Sequence, residues 1–74
     1  MSAHGGVPAE QRMVNDIARQ FGHLAADDGA AAVADHVRRF WDPRMRARLL
    51  AIAADDPAGL DPLAVAAATR LRPV

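Results

Sequence analysis

Apolar residues recur at helical spacing along most of this chain. Over residues 9–25, Val14, Ile17, Phe21 and Leu24 fall within an arc of about 80° when each step turns by about 100°, and Arg12, Asp16, Arg19 and His23 lie opposite. This predicts an amphipathic helix from about Ala9 to Ala25. A second helix is predicted from about Gly29 to Trp41, with Asp27 or Asp28 as its N-cap. Val33, Val37 and Phe40 form its stripe, widened by Ala30 and Ala34, so Phe40 is expected in the core. Trp41 and His36 stand at opposite edges of that stripe.

Asp42-Pro43 then reads as a stop and an immediate restart. Proline disfavours helical geometry in the residue before it and suits the first helical position, where no N–H is needed. Asp42 can cap the third helix, whose stripe is Met45, Leu49 and Ile52, and the second and third helices should meet at a sharp corner shaped by Asp42 and Pro43. Leu50 points elsewhere on this helix. Asp55-Asp56-Pro57-Ala58-Gly59 is a turn cluster. Asp61-Pro62 repeats the cap-then-proline signal and starts a short helix to about Leu71, with Leu63, Ala67 and Leu71 inward and Val65 facing away. Residues 1–8 contain Gly5, Gly6 and Pro8 and read as a loose tail with no charged leader or apolar secretion segment. The expected architecture is all-α: one helical domain over 9–72, a small bundle of four short helices.

Composition limits what can hold such a bundle together. Apolar types make up 51% of the 74 residues, but 18 of those 38 are alanine. Only 20 larger apolar side chains remain for a core, and small domains with thin cores need disulfides, metal or association. The chain has no cysteine, which removes disulfides and thiolate metal sites and leaves association. Nine arginines balance nine acids, with no lysine. A neutral chain has little of the positive potential on which sequence-independent nucleic-acid or membrane-surface binding rests. No apolar run approaches the roughly 20 residues of a membrane span, and the composition fits the cytoplasm.

Parts for catalysis are scarce. The single serine, Ser2, lies in the expected tail, and no cysteine nucleophile exists. The glycines form no phosphate loop. His4, His23 and His36 lack ligand spacing; His23 reads as solvated, and His36 reads either as a partly buried histidine or as a partner contact. Asp27-Asp28 and Asp55-Asp56 read as caps and helix-dipole partners rather than metal ligands. No catalytic, metal or cofactor-binding residue is assigned, and the chain is expected not to be an enzyme.

One segment concentrates the residue types favoured at interface hot spots. His36 to Arg48 holds the only tryptophan, one of two phenylalanines, Met45 and five of the nine arginines: Arg38, Arg39, Arg44, Arg46 and Arg48. Periodicity leaves two readings of Trp41. Either it is half exposed at the corner and docks a partner, or it closes the core while the arginines are solvated or pair with Asp35 and Asp42.

The run "VADHVRRFWDPRMRARLL", with "MVNDIARQF" before it and "GLDPLAVAA" after, resembles the delta subunit of NAD-dependent formate dehydrogenase. The motif falls on His36, Arg39, Phe40, Trp41, Asp42, Pro43, Arg44 and Met45. The resemblance implies a non-catalytic subunit or assembly factor of a cytoplasmic complex. Its large (alpha) subunit would carry a bis-molybdopterin guanine dinucleotide cofactor with molybdenum or tungsten, and iron–sulfur clusters. Other subunits would carry FMN and further clusters and reduce NAD. Lacking cysteine, this chain cannot hold an iron–sulfur cluster, and it has no dinucleotide fingerprint for NAD, which agrees with an accessory role. The expectation is therefore a module that binds the large subunit at the corner, with Trp41, Arg39, Arg44, Met45 and His36 as contacts, in support of assembly, cofactor insertion or stability.

Three alternatives stay open. Arg38, Arg39, Arg44 and Arg46 could meet the phosphates of a pterin dinucleotide in transit. The sharp corner and the arginines of the third helix could form a DNA-binding helix-turn-helix, although that helix lacks the asparagine, glutamine or serine that reads base edges. The thin core, with outward Leu50 and Val65, could favour a homo-oligomer when the chain is alone.

Overall fold

Two Asp-Pro steps set the frame. In the computed structural model, which describes residues 7–73, four α-helices run α1 Ala9–Gln20, α2 Ala26–Phe40, α3 Pro43–Asp55 and α4 Pro62–Leu71, with a 3₁₀ turn at Pro57–Gly59 and no strand among the described residues. Asp42 caps α3 by accepting from the Met45 N–H at 2.8 Å, and Asp61 caps α4 by accepting from the Leu63 N–H at 2.9 Å. Each is followed by proline in the first turn, as the missing N–H and fixed φ of that residue allow. Residues 1–6 of the expected tail lie outside the described residues; Val7 and Pro8 are exposed.

The first two helices depart from the expected bounds. Helix α1 ends at Gln20, not Ala25: the Phe21 N–H donates to Ala18 O, and Gly22 N–H to Arg19 O, so the last turn tightens to i→i−3 bonds at a glycine. Leu24 thereby leaves the helical stripe and is exposed. Helix α2 starts three residues early, with Ala25 at its cap and no side-chain cap bond. Asp27 and Asp28 are inside its first turn, where their charge meets the positive end of the helix dipole, rather than at the N-cap. Gly29 is buried inside the helix, where an added Cβ would stand 3.0 and 3.1 Å from the two Leu63 methyl carbons.

The most extensive helix contact is α2 against α4. Gly29, Ala30 and Ala34 of α2 and Ala64, Ala67 and Ala68 of α4 are buried, and their small side chains let the two backbones come close. Larger side chains fill the space between these helices, α1 and α3: Val14, Ile17, Val33, Val37, Leu49 and Leu60. Leu60, in the turn before α4, was not anticipated in the core. Val65 also corrects the expectation, since it packs against the core instead of facing away; Leu63 and Leu71 are only partly buried, and Leu50 is half-buried. Asn15 ties α1 to the approach to α4. Its side-chain N–H donates to Gly59 O at 2.9 Å, and its Oδ1 accepts from the Asp61 N–H at 2.8 Å.

Candidate functional site: the α2–α3 corner

Only Trp41 and Asp42 separate α2 from α3. Trp41 is extended (φ −98°, ψ 139°) while its N–H still donates to Val37 O at 2.9 Å, which closes α2. This turn of the backbone carries the indole into the core, where the residue is 5% exposed. The expectation of an outward tryptophan is therefore corrected: Trp41 closes the core at the corner. Phe40 is the opposite correction. Expected inside, it is 71% exposed.

The reason lies in the corner. Counted from Val33 at about 100° per residue, the buried positions Gly29, Ala30, Val33, Ala34 and Val37 centre about 30° to one side, and Trp41 and Phe40 each lie about 50° from that centre, on opposite flanks. Position around the helix does not separate them. Phe40 ends α2 in helical geometry, whereas Trp41 leaves the helix in extended geometry, which carries its indole inward.

Phe40 does not stand alone. His36, one turn earlier and half-buried, stacks on it with ring centroids 4.8 Å apart and planes tilted by 44°. The i,i+4 relation puts both rings on the same face. Met45, beyond the corner, is half-buried against the core, so it holds α3 in place and offers only part of its surface.

The arginines divide into those used within the chain and those left over. Arg38 donates to Arg70 O of α4 at 3.0 Å, and Arg46 donates to Arg38 O in the last turn of α2 at 3.3 Å. Both place a cation at carbonyls that a helix terminus leaves unpaired. Arg48 reaches Glu10 in the first turn of α1 at 3.1 Å. Glu10 is 7% exposed, a buried acid that the sequence pattern did not reveal. Its own backbone N–H, and then the Arg48 guanidinium, hold its carboxyl below the ordinary glutamate range. Arg39 pairs with Asp35 at 3.1 Å on an open surface. Arg44 is exposed, lines a shallow depression with Asp42 and Pro43, and has no side-chain partner among the described residues.

The sequence-derived site is thus only partly assembled on the surface. His36, Arg39 and Arg44 are available, Met45 is half available, Trp41 is not, and Phe40 takes its place as the exposed aromatic. Arg46 and Arg48 make surface bonds within the chain, so Arg44 is the one arginine of α3 without a side-chain partner among the described residues. Among the described residues no group of three or more histidine, aspartate or glutamate side chains is placed to hold a metal ion, and no helix is long and apolar enough to cross a membrane.

As a class, the chain is a small neutral helical bundle with one exposed aromatic at a helix corner. A family model narrows it: residues 12–68 match that of the NADH-dependent formate dehydrogenase delta subunit, FdsD. The chain belongs to this family, and the match takes in α2, the corner, α3 and the clamp at Asn15. Membership makes it a formate dehydrogenase delta subunit and implies association with that enzyme complex. No curated protein and no solved structure matches the chain significantly.

Proposed function

We propose that this chain is a non-catalytic accessory subunit of a cytoplasmic, molybdenum- or tungsten-containing formate dehydrogenase. It binds the large (alpha) subunit and holds it in a form competent for assembly, cofactor insertion or stable activity. Family membership over residues 12–68 is the observation that carries this reading. The residues support it: a cysteine-free chain offers no thiolate for an iron–sulfur cluster, and its glycines form no dinucleotide loop. The bis-molybdopterin guanine dinucleotide, the clusters, FMN and the NAD site belong, on this reading, to the other subunits. What the chain contributes is binding energy. Its thin, alanine-rich core also suits a protein that works while bound, because a partner that binds only the folded form stabilises that form.

Co-purification tests the proposal. The affinity-tagged full-length chain, co-expressed with the large subunit, should bring it down in a fixed ratio. Leaving the chain out of the co-expression should lower the fraction of large subunit that carries its metal cofactor, or shorten its active lifetime. Absence of capture at micromolar concentrations of both proteins would refute the proposal.

A further inference from the structure

We infer that Phe40, held by His36, with Arg39 before it in the sequence and Arg44 beyond the corner, is the anchor of the interface, and that it enters an apolar pocket with a carboxylate rim on the large subunit. This deepens the accessory-subunit reading and rests on it.

The anchor is argued from exposure and rigidity together. Phe40 is 71% exposed, the most open of the large apolar side chains among the described residues. It lies in the last turn of α2, and the next residue, Trp41, is locked in the core. The His36 ring at 4.8 Å supports one side of it. An aromatic side chain already fixed in this way loses little conformational freedom on binding, which is the property of an effective hot spot.

The chemistry of the partner follows from charge. Residues 35–48 hold five arginines and two aspartates; with Arg48 paired to Glu10, the segment keeps an excess of two positive charges in a chain whose total is zero. The rest of the chain is correspondingly acidic. Arg44 is unpartnered among the described residues, and the exposed Arg39–Asp35 pair can exchange its carboxylate for another at little cost. An apolar ring in an arginine-rich segment is complementary to an apolar pocket with acidic neighbours. A phosphate-bearing ligand fits less well, because it would leave the phenylalanine in water.

The test is the affinity of the purified large subunit for the full-length chain: native, Phe40→Ala and Arg44→Glu, with helicity measured for each. Neither position is buried, and an acid in the first turn of α3 favours the helix, so Arg44→Glu keeps the test decisive if Phe40→Ala folds poorly. Expected are a loss of at least about tenfold for Phe40→Ala, a clear loss for Arg44→Glu, and native affinity that falls as salt rises from about 0.05 to 0.5 M. Native binding that both variants retain within about twofold, or that ignores salt, would overturn the inference while leaving the accessory role intact. The same holds for a Phe40-dependent homodimer that competes with the large subunit. Failure of the native chain to bind would instead overturn the accessory reading, and the inference with it.

Discussion

At the scale of single residues, the neighbours Phe40 and Trp41 have opposite environments, and their substitutions should separate folding from binding. Trp41→Ala removes a buried indole from the α2–α3 corner and should cost about 3–5 kcal/mol. That is comparable to the whole stability at the low end of the range for so small a domain, about 4 kcal/mol, so thermal denaturation followed by circular dichroism should show a strongly lowered midpoint and a substantial unfolded fraction at room temperature. Phe40→Ala should change stability by less than about 0.5 kcal/mol in the same experiment. Asp42→Ala, which removes the acceptor for the Met45 N–H, should cost about 1 kcal/mol. If Phe40→Ala proved the most destabilising of the three, the placement of the two rings would be wrong.

At the scale of elements, α3 and α4 were legible because Asp-Pro marks a start chemically: the carboxylate caps and the proline fixes φ. The end of α1 and the start of α2 were not, because no single residue type announces them. Gly22 and the tightened bonds around Phe21 end one helix, and Ala25 opens the next without any side-chain cap. The exposed aromatic was misplaced for a different reason. A helical stripe assumes the helix continues, yet Trp41 leaves it in extended geometry, and that break, not the period, decides which of the two rings turns inward. The long-range polar links were also invisible, since nothing local pairs Asn15 with Gly59 and Asp61, or Glu10 with Arg48.

Those links carry two predictions. Asn15→Ala leaves the part-buried Asp61 N–H without its acceptor and frees the approach to α4; a loss of about 1–3 kcal/mol is expected in urea unfolding. Glu10 has its carboxyl pKa lowered in the folded state, so its contribution is present above the unfolded value and disappears as pH falls through the folded one. The urea midpoint of the native chain should therefore fall more steeply than that of Glu10→Gln as pH is lowered through and below the ordinary carboxylate range. Parallel profiles would deny the Glu10–Arg48 link its role.

At the scale of the whole molecule, a neutral chain carries an arginine-rich segment at one aromatic corner, over a thin core in which six of the thirteen buried apolar residues among those described are alanine. Such a molecule should be easily opened when alone and protected when bound. If the large subunit binds only the folded chain and is present at about 100 times its Kd, the unfolded fraction falls about a hundredfold. Proteolytic cleavage through that fraction should slow to match, which a mass-spectrometric time course would register; cleavage at an unchanged rate would show that the partner does not act on the folded chain. The central claim, that the corner faces the large subunit, is tested most directly by photo-cross-linking. A photoreactive phenylalanine analogue is placed at position 40, and in a second preparation at position 13, where Met13 is exposed on α1. Irradiation of the complex should join the large subunit to position 40 and not to position 13. Adducts from position 13 alone, or adducts only between copies of this chain, would contradict it.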